Sequence, residues 1–318
     1  MQPLTNLQHS EKTFVRLSAI LTKADDGPTK FMEDFEKSLS RILLADYEAR
    51  ANKAISLGMK KYKGKGTKAE AKAIKTTIDK AMKPFSKDSK DTINDTIGVY
   101  YKEVTRRFVN SFGLKIEKAA KVGNSVVFSK RDQAAIDTIE RLTVDSAGKY
   151  FPDQISPQVS QVVDDVVFNQ SLTAEQGAVK LQAELQGAMG VKEAATLPTR
   201  FASNPNAYFN TLSSNASVQS ANVGRIISMD DAGVETYRVS AVLDKRTSHI
   251  CLDLDGKEFS VGGASKVVDE FIGLESSDDL INLLPFNKTD TVPKWAGSGL
   301  GFPPYHHLCR TTVIPVVV

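Results

Sequence analysis

Residues 236–261 read TYRVSAVLDKRTSHICLDLDGKEFSV, and here the chain changes character. Tyr237, Val239, Ala241 and Leu243 alternate with mostly polar neighbours, which places one apolar row on one face of a β-strand. Arg246-Thr247-Ser248 reads as a turn, Asp255-Gly256 as a second turn, and residues 257–261 (KEFSV) as a second strand. A matching element lies at 301–316, GFPPYHHLCRTTVIPV, where a proline-stiffened approach runs into a β-branched strand. Pro315 confines that strand to an edge or to its non-donating side. Residues 262–302, with their glycines, prolines and acidic residues, read as mostly irregular.

Upstream of this segment the periodicity is helical. Pro28 suits a first helical turn, and Met32, Phe35, Leu39 and Ile42 recur at three- and four-residue steps. Glu33 and Lys37 add an i,i+4 pair on the wet side. A further helix is expected over about 88–113, then a short β-like SVVF at 125–128, then a helix with Ala135, Ile139 and Leu142 inward. Ser156-Pro157 reads as a helix start, with Val159, Val162, Val163 and Val166 as its apolar face. Thr173 and Gln176 form a capping box, and Gly190 sits where a helix ending in Leu181, Leu185 and Ala188 should stop. A last helix is expected from about Pro205 to Met229. The sequence therefore predicts an α+β protein. A flexible arm at 1–27 precedes a mostly α-helical body at 28–230 and a small α+β C-terminal domain at 231–318.

Composition narrows the function classes. The 318 residues are 41% hydrophobic and 25% charged, with a formal net charge of +3. No apolar run approaches the length of a membrane span, and the first residues lack the layout of a secretory signal, so residence in the cytoplasm is expected before any assembly. A charge of +3 does not by itself define a nucleic-acid binder. Its local concentration at residues 60–68, KKYKGKGTK, is more telling: Lys60, Lys61, Lys63 and Lys65 flank Tyr62 on a glycine-containing loop. Such a loop is either a solvated, flexible turn or a patch that touches a nucleic-acid backbone without reading sequence. Further on, Trp295 reads as a core plug of a small domain or, with Phe302 and Tyr305 close by, as part of an exposed recognition loop.

Both cysteines and three of the four histidines fall in the two elements around 244–259 and 301–316. Three chemistries fit that clustering. Cys251, His306 and Cys309, with His249 or His307 as a fourth ligand, would make a structural zinc site. Arg246, Asp255, His306 and Arg310 would instead make a metal-free polar knot around two buried thiols. A Cys–His nucleophile with Asp255 as orienting group is the third. No glycine-rich phosphate loop, nucleophile elbow or two-histidine metalloprotease motif accompanies it, so a non-enzymatic protein is expected.

These two elements resemble the phage Mu F-like family of head morphogenesis proteins, also called minor head or minor capsid proteins. The first matches the family's Asp-x-Arg-Thr-(Ser/Cys)-x-x-Cys-x-x-x-(Asp/His)-Gly pattern at Asp244, Arg246, Thr247, Ser248, Cys251, Asp255 and Gly256. The second matches its Pro-Pro-x-His-x-x-Cys-Arg pattern at Pro303, Pro304, His306, Cys309 and Arg310. The resemblance spans about residues 215–318. A second cysteine that some members carry in the first element is absent, and His249 lies nearby. What the resemblance implies is a low-copy component of the virion head interior, with the portal protein and the major capsid protein as partners and packaged DNA as a further contact. Its role would lie in head assembly and in genome packaging or ejection.

Overall fold

A computed structural model describes residues 28–318 apart from 84, 86, 115–127, 192–202, 285–291, 293, 300 and 317–318. The expected arm at 1–27 and most of the β-like SVVF therefore lie outside the described residues. The fold is α+β and mostly helical, as the periodicity predicts. Seven longer helices come first: α1 (Pro28–Met59), α2 (Lys68–Ala81), α3 (Lys87–Phe112), α4 (Lys130–Tyr150), α5 (Ser156–Val167), α6 (Ala174–Met189) and α7 (Pro205–Asp231). Then follow β1 (Thr236–Ser240), α8 (His249–Leu254), β2 (Glu258–Ser260), α9 (Val261–Ile272), α10 (Ser277–Leu283), α11 (Lys294–Gly297) and β3 (Thr312–Pro315). Among the described residues no helix is long and apolar enough to cross a membrane.

The chain divides into two compact units that do not follow the sequence boundary at 230/231. One comprises Met1–Leu39, Lys90–Asp145 and Thr211–Val318; the other Ser40–Ser89 and Ser146–Asn210. Among the described residues, the regular elements of the second unit are all helices. Leu43, Tyr47 and Ala51 of α1, Ile74 and Ile78 of α2, the valines of α5 and Leu181 and Leu185 of α6 form its core. Tyr47 donates its hydroxyl proton to the Met189 carbonyl (2.9 Å), which satisfies the one polar atom of an otherwise apolar plug. The capping box at Thr173–Gln176 is formed, and Gly190 ends α6 in the left-handed region at φ 64°. Ser156, by contrast, is not an N-cap. A π-turn at Phe151–Ile155 leads directly into α5, and the Ser156 hydroxyl faces Asp79 instead.

In the first unit, Phe31 and Phe35 stack on Tyr100, so the buried row of α1 begins at Phe31; Met32 and Ile42 are only half-buried. Tyr100 in turn meets Ser217 Oγ at 3.0 Å. The three strands form an antiparallel sheet in the order β2-β1-β3. Tyr237 and Val239 point into the core and pair with Pro315 and Val313, which makes β3 an edge strand with Pro315 at its end. β1 stops at Ser240, so Leu243 is not part of the buried row: it is 61% exposed. Residues 262–302 are not mostly irregular. Ser260 caps α9, whose Val261, Ala264, Val268 and Phe271 recur at helical spacing and are buried. The pair Gly262-Gly263 conceals that helix from propensity alone.

Helices α9 and α10, which follow the first two strands, are tied to α4 of the same unit by long-range polar contacts. Arg131 of α4 reaches Asp230 (2.8 Å) and the hydroxyl and carbonyl oxygens of Ser265, while Arg141 donates to the Leu274 carbonyl. Asp145 accepts both the backbone N–H and the hydroxyl of Ser277. The sheet itself is tied to α7 through Asn222.

Candidate metal centre and polar knot

The first motif element is organised by its own side chains. The Asp244 carboxylate accepts the Arg246 N–H (2.8 Å), and the Thr247 hydroxyl accepts the Asp244 N–H while donating to the Val242 carbonyl. These short-range bonds replace the ladder beyond the end of β1. Ser248 then caps α8 by accepting the Cys251 N–H, which fixes Cys251 in the first turn with its thiol buried. Gly256 takes φ 75°, a left-handed conformation open to glycine at little cost, and returns the chain to β2. Asp255 accepts the Ala241 N–H at 2.8 Å and so pins the turn to the strand it left.

The second element brings the rest. Arg310 forms a two-pronged pair with Asp244 (2.8 and 2.6 Å), joining positions 66 residues apart. The Arg310 guanidinium, followed by the Arg246 N–H, holds the Asp244 carboxyl well below the usual carboxylate range. Cys251 Sγ lies 3.1 Å from His306 Nε2 and 3.7 Å from Cys309 Sγ, and the Thr311 hydroxyl donates to it at 2.9 Å. Ser248 Oγ is 2.8 Å from the same Nε2. His306 Nδ1 is 2.7 Å from the His307 carbonyl, which can only accept; Nδ1 therefore carries a proton, and Nε2 is the ring nitrogen that faces the sulfurs. Hydrogen bonding from Cys309, and then from His306, Ser248 and Thr311, pushes the Cys251 thiol down against the opposing effect of burial. Cys309 is pushed up by that same bond and by its burial. Of the two, Cys251 is therefore the better thiolate.

Cys251, His306 and Cys309 present ligand atoms that all lie within 4.8 Å of one another, a cluster able to hold a metal ion. Neither expected fourth ligand joins it. His249 is exposed in the first turn of α8, and the His307 ring faces Asn215 Nδ2 at 3.2 Å. Asp255 is occupied by Ala241, so the Cys–His–Asp arrangement is not assembled; the group behind His306 is a backbone carbonyl. The Arg246 side chain is 76% exposed and only 3.9 Å from Asp244, so it contributes to the knot mainly through its backbone. Phe302 and Tyr305 are core residues, which removes the recognition-loop alternative for them; the Trp295 side chain lies outside the described residues.

Two participants carry no sequence signal. Thr311 supports the Cys251 sulfur. Asn222, on α7 and 1% exposed, donates to the Thr311 and Pro303 carbonyls and accepts the Val313 N–H and the Thr312 hydroxyl. An asparagine in the serine-rich run 213–222 reads equally well as a wet helix face, and only the fold distinguishes the two.

The lysine loop, in the other unit, is more ordered than a flexible turn. The buried Glu70 carboxylate accepts the backbone N–H groups of Lys63 and Lys65 (2.8 Å for Lys65), and Thr67 caps α2 by accepting the Glu70 N–H. Gly64 and Gly66 both adopt φ 65°, and Tyr62 packs over Gly177, where a Cβ would sit 1.8 Å from its hydroxyl. Lys60, Lys61, Lys63 and Lys65 remain exposed.

Comparison of the chain with protein-family models, with curated proteins and with solved structures finds no match.

Proposed function

We propose that this chain is a minor head protein of a tailed bacteriophage, a low-copy component of the head interior that binds and assembles and does not turn over a substrate. The observation that carries the reading is the convergence of the two motif elements that resemble the Mu F-like family. Asp244 and Arg310, and Cys251 with His306 and Cys309, belong to sequence segments more than fifty residues apart and form one knot. The portal protein and the major capsid protein are the proposed partners. In this reading the knot is a rigidifying device, and the ion it would hold is zinc. Zinc–sulfur bonds of about 2.3 Å at a tetrahedral angle place two sulfurs about 3.8 Å apart, against 3.7 Å here. The Nδ1 bond to a backbone carbonyl is the kind of outer-shell support that orients a ligating histidine.

Quantitative mass spectrometry of purified particles of the parent phage tests the reading. A few to a few dozen copies per particle, measured against portal and capsid proteins, are expected; absence from both procapsids and virions would sink it. A second reading, direct contact with packaged DNA, draws support from the pinned lysine loop, because a preorganised cationic loop loses less entropy on meeting a phosphate backbone. It calls for strongly salt-dependent DNA binding that disappears when Lys60, Lys61, Lys63 and Lys65 are neutralised together.

A further inference from the structure

We infer that a zinc ion held by Cys251, His306 and Cys309 keeps its fourth coordination position for an exchangeable ligand, water at rest and a small exogenous donor when one is offered. This rests on the zinc reading above and adds an open vertex to it.

Closed structural zinc sites take four protein ligands, whereas a site with three leaves one vertex to solvent or to an incoming group. Among the described residues only three ligand-type side chains converge here. The other candidates make contacts of their own and do not join this cluster: Asp244 pairs with Arg310, Asp255 accepts the Ala241 N–H, and the His307 ring meets Asn215. Ser248 Oγ already accepts the Cys251 N–H, and a neutral hydroxyl is not among the groups that bind zinc well.

The surroundings of the three ligands are lopsided. Cys251, Cys309 and Thr311 are buried, with Cys309 fully so, and they close off the sulfur side. His306 and Ser248 are half-buried, so the imidazole side is where solvent comes near. There Ser248 Oγ stands 2.8 Å from Nε2, with a hydroxyl proton free to turn toward a ligand on the ion once Nε2 is spent on the metal. A hydroxyl at a half-exposed vertex can hold a water molecule in place and release it to a competing donor.

Cobalt substitution provides the test. The full chain is loaded with Co(II), and its visible d–d bands and thiolate-to-cobalt charge-transfer band are recorded while imidazole is titrated in. The bands are expected to shift saturably with imidazole, with the charge-transfer band retained. Cys309→Ser should weaken that band and so locate the ion. His249→Ala and His307→Ala should leave both the starting spectrum and the imidazole response unchanged. A tetrahedral cobalt spectrum indifferent to imidazole would mean that the chain itself closes the fourth position, and the inference would be overturned. So would a changed starting spectrum in either histidine variant, which would name the missing ligand. A chain that takes up neither zinc nor cobalt would remove the zinc reading and, with it, this inference.

Discussion

Asn222 offers the sharpest test of how the C-terminal strand is held. Its side chain accepts the Val313 N–H (3.1 Å), on the side of β3 that faces away from β1, and the Thr312 hydroxyl (3.1 Å). Its amide donates to the Thr311 and Pro303 carbonyls at 3.2 and 3.4 Å. Replacing it with leucine keeps the approximate volume and removes every one of these bonds. Stranding a buried N–H costs about 1–3 kcal/mol, and two abandoned carbonyls add roughly 1 kcal/mol each. Burying the leucine methyl groups returns about 1 kcal/mol. The expected net loss is about 3 kcal/mol, a large share of the roughly 5–15 kcal/mol that a folded domain has. Urea denaturation followed by circular dichroism should show a clearly lower midpoint. Amide exchange at Val313, if it proceeds through local opening, should speed up about a hundredfold. Thr312→Val, which deletes one partner of Asn222 on a half-exposed side chain, should cost less than about 1 kcal/mol. Asn222→Leu with a loss under about 1 kcal/mol and normal protection at Val313 would refute the assignment of Asn222 as the clamp of β3.

Three further outcomes follow from groups in unusual surroundings. Glu70→Ala removes the acceptor for two loop N–H groups and should weaken the 60–68 loop by about 2 kcal/mol; limited trypsinolysis at Lys60–Lys65 should accelerate at least tenfold, and unchanged cleavage would deny the pinning. Arg225 has a buried Nε without a hydrogen-bond partner, lies over the Phe108 ring at 5.4 Å, and is pushed down to about 10 by burial. A shift of that size corresponds to roughly 3 kcal/mol of desolvation cost, offset by about 1 kcal/mol of cation–π attraction, so Arg225→Met should stabilise by about 1–2 kcal/mol in the same denaturation assay. A marked loss there would mean the guanidinium has a partner. Asp244 has a lowered folded-state pKa, so its pairing with Arg310 stabilises above the unfolded carboxyl's pKa of about 3.9 and fades as pH falls below it. The stability gap between the native chain and Asp244→Asn should therefore be flat from about pH 5 to 8 and close in acid; a gap that widens in acid would contradict the pairing.

Much of this was legible in the sequence where a local rule acts alone. The capping box at Thr173, the glycine stop at Gly190 and the Pro315 edge each need only a few neighbouring residues, and each is present. Where two rules compete, the reading fails. Ser156-Pro157 has the form of a helix start, but the chain arrives already helical through the π-turn, so no cap is needed. Gly262-Gly263 argues for a loop, yet four apolar residues at helical spacing outweigh two glycine penalties of about 1 kcal/mol each. The cysteines and histidine of the site were readable as a group because they are rare residues clustered in two short elements. Their partners were not. Serine, threonine and asparagine are common on wet surfaces, and only the fold reveals that Asn222 and Thr311 face inward. His249 stands outside the cluster for a geometric reason: Ser248 caps the helix that carries Cys251, and the next residue then starts that helix on its exposed side.

The interleaving of the two units has a consequence for synthesis. One unit is complete once residue 210 has been added, since it needs only Ser40–Ser89 and Ser146–Asn210. The other cannot close until β3 exists, although the Phe31 and Phe35 end of α1 is made long before it. On a ribosome adding about 5–20 residues per second, those two rings wait roughly ten seconds or longer for the last of their unit. For the first part of that interval, until Tyr100 has followed, the Phe31 and Phe35 rings have no stacking partner. A chaperone that binds aromatic-rich helical segments would act on that stretch of α1.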